Sequence, residues 1–358
     1  MPVSAIDAIN PALDHTKQQL FKPFRIGQWA RLALVGFFAG ELSSGGCSGR
    51  TFRMPSGSGS SRSVPGLHFP HFPVVHLAAI ALIIAVAIAV LMVLWILLIY
   101  LNSMMRFVLF DSIVFRECHI RQYWRGRNRA GLRYFVWQIL FMLATGAGMT
   151  ILIGIPAALA LASGWLTHPR EHMLALVLGG IFLFFVFMAF MLAVAVVAVL
   201  TKDFVVPQMA LENVSAFEGW RRLLALMKME KSAYAGYIGM KIVLAIVAGI
   251  ALGIVTVIVM LILLIPAGGV GVAAVLIAKS AGITWGLYTI TLAVVVACMA
   301  LAILLFVMAL ISTPAIVFFP AYSIYFFAAR YPALEAVIRP LPTPSRVPPF
   351  LANPEPAG

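Results

Sequence analysis

The run His168-Pro169-Arg170-Glu171-His172 has the residue types and spacing of a chemical site. It matches H-x-x-E-H, in which two histidines four apart share one helix face and can hold zinc beside a carboxylate. His68, His71 and His76 fall on the same predicted side of the chain, so a composite metal site of outer histidines is the alternative arrangement. The context argues against both. Pro169 suits only a first helical turn, and the run lies within residues 163–172, a short connection between two long apolar stretches. No surrounding domain supplies a third ligand or a cleft. The match is therefore read as chance, with no metal and no cofactor expected. The three cysteines, Cys47, Cys118 and Cys298, are scattered and form neither a disulfide framework nor a metal cluster. No nucleophile with a base at workable spacing, phosphate loop or nucleotide fingerprint occurs. No catalytic residue is assigned, and a non-enzymatic protein is expected.

The elements that flank these residues define the class. Charged residues make up 10% of the chain and apolar ones 63%, against about 25% charged in a soluble protein. Val74–Leu101 carries no charge at all over 28 residues, more than the roughly 20 a helix needs to cross hydrocarbon. Comparable blocks follow, and the spans read as 26–42, 74–101, 134–162, 173–200, 236–265 and 283–312. The expected fold is an all-α integral membrane protein of about six transmembrane helices. Residues 1–25 form a polar to amphipathic lead-in without the pattern of a secretory signal. Residues 43–73, rich in Gly, Ser and Pro, read as a flexible outer loop. The tail from Arg339, with seven prolines, reads as disordered with polyproline II character.

Loop charge gives the direction. With six crossings and the N-terminus inside, 19 of the 25 Lys and Arg residues fall on the inner side and 5 on the outer, as expected of a cytoplasmic face. Lys241 lies within a span near its inner end, where it can snorkel to the headgroups. If the first, shortest segment does not cross, the split weakens to 15 against 9. Both termini are thus expected in the cytoplasm of a multi-pass cell-membrane protein. The net charge of +13 then reflects orientation and anionic-lipid contact, with no nucleic-acid partner expected. Gly154/Pro156 and Pro266/Gly268 lie toward the outer ends of their spans and read as helix ends.

The inner segments repeat a pattern. Arg106-Phe107-Val108-Leu109-Phe110, Asp203-Phe204-Val205-Val206-Pro207 and Ile316-Val317-Phe318-Phe319-Pro320 each follow a span and lead into a segment with aromatic and basic residues. In the middle copy, Ser215 and Glu218 have capping-box spacing, and Phe217, Trp220, Leu224 and Met227 recur at helical spacing. Such helices are expected to lie in the cytoplasmic membrane interface. Trp124, Arg125, Arg127, Trp220, Arg221 and Arg222 are the candidate lipid-contacting residues, with anionic lipid as partner. Ala245, Gly249 and Gly253, four apart on the fifth span, form a candidate helix-packing seam, open to a membrane-protein partner or a second copy.

Phe204-Val205-Val206-Pro207, Ala210-Leu211-Glu212-Asn213 and Gly219-Trp220-Arg221-Arg222 with Leu223 and Leu224 carry a resemblance. The layout resembles prokaryotic polytopic membrane families related to the membrane domain of certain glycerophosphodiester phosphodiesterases. There a Pro and a Glu precede an amphipathic helix between two spans. The attached phosphodiesterase domain has no counterpart here, so the resemblance implies a membrane layout and no catalytic residues. The function expected is organisation of lipid or protein partners, with a permease or channel for a small or amphiphilic solute as the alternative.

Overall fold

A computed structural model describes residues 4–22, 24–41, 74–165, 172–280, 282 and 286–338. The outer loop 43–73, the proline-rich tail from Arg339, and most of the H-x-x-E-H run lie outside the described residues, which contain no strand. The helices are α1 (Ile9–Phe21), α2 (Ile26–Phe38), α3 (Val74–Val114), α4 (Ile120–Gly126), α5 (Asn128–Ala162) and α6 (Met173–Leu200). A π-helical turn, Thr201–Val205, joins α6 to α7 (Val206–Glu212). Then come α8 (Ala216–Met229), α9 (Lys231–Ser280), α10 (Leu287–Ala328) and α11 (Pro332–Ile338). Five of these runs are long and apolar enough to cross a membrane, those built on α3, α5, α6, α9 and α10. α2 has 13 residues, or about 20 Å of helix, too short to cross about 30 Å of hydrocarbon alone.

Packing is divided unequally along these helices. Within the most apolar stretch of each long helix, no more than 6% of residues are buried by the rest of the chain. At one end the helices interlock instead, in a hub of α1, α2, the last turns of α3 and α10, the first turns of α5 and α9, and the short helices α7 and α8. The three repeated segments meet there. Phe107, Val108, Phe204, Val205 and Val317 are fully buried, with Ile316 and Phe319 at 1%. Phe204 touches Tyr234, Tyr237 and Phe327 at ring-centroid distances of 5.4, 5.0 and 5.1 Å, and Phe326 at 6.0 Å. Burying each such ring stabilises the hub by about 2–3 kcal/mol.

The spans run further than their apolar composition predicts. α3 continues thirteen residues past Leu101, and α10 continues to Ala328. The first and third repeated segments thus continue their spans as helix, because Met104, Phe107, Ile316 and Val317 are buried there and need no turn. α9 likewise runs through Pro266 to Ser280, and α5 through Pro156 to Ala162, so neither proline ends its helix at that point. Lipid cannot satisfy backbone groups freed by a turn, so a helix tolerates an internal proline at lower cost than an early end. The middle copy differs. Pro207 cannot donate to the carbonyl of Asp203, and its ring crowds that oxygen; the chain widens into the π turn immediately before it. Asn213 then ends α7 in the left-handed region at φ 55°, and Ser215 caps α8, its Oγ accepting from the Glu218 N–H at 3.3 Å.

Two close contacts set how the hub docks. A Cβ on Gly36 of α2 would lie 2.3 Å from Cγ2 of Ile316, so only glycine lets α2 lie against α10. α1, part of the polar lead-in, is bound into the hub. Gln19 donates to the Ser112 carbonyl at 2.8 Å, and the Tyr322 hydroxyl donates to the Ala5 carbonyl at 3.1 Å. His15 sits between the Ile113 carbonyl at 3.0 Å and the Tyr325 hydroxyl at 3.1 Å. The carbonyl accepts from Nε2–H, which leaves Nδ1 to accept from Tyr325, so the ring is held neutral. Burial, reinforced by nearby Arg116, lowers its pKa to about 4.

Two predictions follow from these contacts. Unfolding exposes His15, whose ordinary pKa is about 6.5, so the unfolded state binds more protons between that value and about 4. Stability therefore falls as pH drops through this window, by about 3 kcal/mol in full. Thermal melts in uncharged detergent at pH 7.5 and pH 4.5 will show a smaller acid shift for His15→Gln than for the native chain; equal shifts would remove His15 from the account. Gly36→Ala will cost about 1–3 kcal/mol through overpacking. In a double-mutant cycle, Ile316→Ala will absorb most of that cost, and strict additivity would show that the two side chains do not compete for space.

Candidate functional site

Where the hub meets the spans, the chain buries five ionisable groups together. Arg106 comes from α3, Lys202 and Asp203 from the π turn, Lys241 from α9, and Glu41 from just beyond α2. Lys202 pairs with Glu41, and Lys241 with Asp203. The Tyr237 hydroxyl also donates to Asp203, at 2.8 Å. Arg106 donates to the Tyr134 hydroxyl and the Ala39 carbonyl, both at 2.9 Å. Side-chain exposure is 1% for Glu41 and 2% for Asp203, so neither carboxylate is balanced by water. Pro320, Ser323 and Ile324 of α10 close the remaining wall around a space of about 30 Å³, room for about one water. Every long helix and the end of α2 thus contribute to one charged junction. A bare charge there would cost several kcal/mol. The π turn matters to this geometry: adjacent residues Lys202 and Asp203 reach opposite partners, Glu41 and Lys241.

A second feature lies at the edge of the hub. A cleft of about 770 Å³ is lined by Arg31, Cys118, His119, Ile120, Arg121, Gln122 and Arg125. α4 forms one wall and lies back along α3, where Trp124 meets Tyr100 edge to face at 6.2 Å. Tyr100 is at the end of the charge-free block, so α4 sits at the depth where that block gives way to the hub. Cys118 is 5% exposed, and burial pushes its thiol pKa up, so it is a poor nucleophile. Among the described residues no group of three or more His, Cys, Asp and Glu side chains could hold a metal. His68, His71, His168 and Glu171 lie outside the described residues.

The six candidate lipid-contacting residues divide. Arg125 is exposed and lines the cleft, and Trp124 is half-buried beside it. Arg127 instead grips Asp111 through two bonds, at 2.9 and 3.0 Å, and also donates to the Ala210 carbonyl. Trp220 donates to the Thr201 hydroxyl at 3.1 Å and braces the π turn. Arg222 bridges Glu212 and Glu218, and Arg222 holds the Glu218 carboxyl below its ordinary range. Arg221 stands outward at 79% exposure, with Glu218 as partner at 2.7 Å. On the packing seam of α9, a Cβ on Gly253 would meet nothing within 4 Å, while Ala245 and Gly249 are half-buried.

Sequence reasoning missed the buried junction. Lys241 does not snorkel: it is 9% exposed and committed to Asp203. The readable signal was a lone lysine in an apolar span, which requires a partner of opposite charge, together with Lys202-Asp203 at the end of another.

Removing one member should expose the cost of the other. Lys202→Met leaves Glu41 buried without its partner and will destabilise the protein by about 3–5 kcal/mol. The double variant Lys202→Met with Glu41→Gln will recover much of that in detergent melts. A double variant no more stable than the single one would show that the pair is not an isolated unit.

A sequence family described as a family of unknown function (DUF7544) matches residues 3–337. No curated protein and no solved structure matches the chain. The match runs from ahead of α1 into α11, so the junction, the cleft and all five long helices lie inside it, and the chain belongs to this family of unknown function.

Proposed function

We propose that the protein is a non-enzymatic membrane protein that gathers anionic lipid around its hub, with the hub on the cytoplasmic side of the cell membrane. The observation that carries this reading is a set of uncommitted cations at one depth. Arg121, Arg125 and Arg129 are exposed on and beside α4 and make no ion pair among the described residues. Trp124 and Tyr100, beside them, are the aromatic residues favoured at a headgroup boundary. Each arginine near an anionic surface contributes about 1 kcal/mol of attraction. The excess of Lys and Arg in the segments that build the hub supports its cytoplasmic orientation. The bare spans, including the face around Gly253, leave room for a protein partner or a second copy.

The permease reading draws on the charged junction, which gathers ionisable groups where the helices converge. Both carboxylates of the junction are tied to lysines and Arg106 to a hydroxyl and a carbonyl, which favours a structural role.

The test is lipid selectivity. Native mass spectrometry of protein extracted from bilayers of equal phosphatidylglycerol and phosphatidylethanolamine will show phosphatidylglycerol enriched on the native chain. The triple variant Arg121→Gln, Arg125→Gln, Arg129→Gln will lose that enrichment several-fold. Equal retention of both lipids by the native chain would sink the reading, and solute flux through protein-containing liposomes would replace it with the permease.

A further inference from the structure

We infer that the cleft between the middle of α2 and α4 is a binding site for a phosphomonoester dianion, presented by a lipid headgroup of the phosphatidate type. The inference deepens the lipid-gathering reading and rests on it for the lipid source alone.

Three guanidinium groups line one concavity. Arg31 comes from α2, and Arg121 and Arg125 come from one face of α4, one turn apart. None of the three makes a hydrogen bond or an ion pair within the described chain. This sets them apart from their neighbours: Arg116 is held by Gln18, Arg127 by Asp111 and Arg133 by the Asn213 carbonyl. No carboxylate lines the cleft. Glu117 lies 3.6 Å from Nδ1 of His119 and is 70% exposed. His119 and Gln122 add further donors to the same walls. Guanidinium groups match phosphate oxygens bidentately, and three unopposed ones suit a doubly charged phosphate better than a singly charged diester. The volume, about 770 Å³, lies within the range of small-molecule sites.

The lipid source follows from depth and from one apolar wall. Ile120 lines the cleft, and α4 reaches the end of the charge-free block of α3 through the Trp124–Tyr100 contact. A headgroup seated among the arginines would leave its acyl chains free to follow α3 into the bilayer.

The purified full-length protein in uncharged detergent is challenged with dioctanoyl phosphatidate, dioctanoyl phosphatidylglycerol, glycerol 3-phosphate and inorganic phosphate, with melting temperature and native mass spectra as readouts. The expected result is a rise of several degrees with phosphatidate and at least fivefold greater retention than phosphatidylglycerol. Arg31→Gln with Arg121→Gln should abolish both effects, and Lys279→Gln, an exposed position in the last turn of α9, should leave them intact. These residues are exposed, and an unchanged melting temperature without ligand verifies that the variants fold. Equal protection by glycerol 3-phosphate would support the phosphomonoester site and reject the lipid source. No preference for phosphatidate or the soluble monoesters over phosphatidylglycerol, or a preference that survives in the double variant, would overturn the proposal. Phosphatidate preference in a native chain that shows no phosphatidylglycerol enrichment in bilayers would support the site while the broader reading fails.

Discussion

The rest of this structure depends on the pairing of Lys202 with Glu41 and of Lys241 with Asp203 at the mouth of the hub. Lipid-facing helices have no hydrophobic reason to prefer one another over acyl chains. What brings these five to a common end is a set of charges that cannot be left alone in a low-dielectric setting. Each partner comes from a different part of the chain, so satisfying one pair fixes the relative position of two segments. Removing a single member strands the other, which gives the junction an all-or-none character. The aromatic cluster around Phe204 then fills the space that this arrangement defines.

The division between a packed hub and bare spans follows from the solvent each part meets. Within hydrocarbon, Leu, Ile and Val side chains lose nothing by facing lipid, and those stretches carry little intramolecular contact. At the hub the uninterrupted apolar stretches end and polar segments join, so Phe107, Ile316 and Val317 are buried in one core, and α1 and α2 are bound over it. Specific shape is therefore concentrated where the long apolar stretches end. Gly36 illustrates how tight that shape is, since a single methyl group on α2 would collide with Ile316.

Much of this was written in the sequence, and the omissions share a cause. Charge-free length identified the spans, and Ser215 with Glu218 marked the start of α8. The three repeated segments were visible as a motif, yet periodicity could not say that they would continue their helices and meet, because convergence depends on partners far apart in sequence. The same limit hid the charged junction. Lys241 alone looks like a snorkelling residue, and Glu41 falls at the end of the segment read as the first span, with nothing nearby in sequence to pair it. Arg127 and Trp220 looked like lipid contacts because aromatic and basic types mark a membrane boundary whether they face outward or inward. Arg125, of the same types and expected at the same boundary, is exposed and lines the cleft.

The π turn ahead of Pro207 has a consequence for helical phase. It holds one residue more than an α-helical turn would, and each residue of an α-helix advances the side-chain direction by about 100°. The turn therefore acts as a phase shifter between α6 and α7. Shortening it by one residue would keep the charged side chains and the proline, yet it would rotate the whole of α6 against the hub. Lys202 and Asp203 could not then both meet their partners. At this point the chain encodes spatial specificity in the count of residues, and a change in length would be felt more than most changes in side chain.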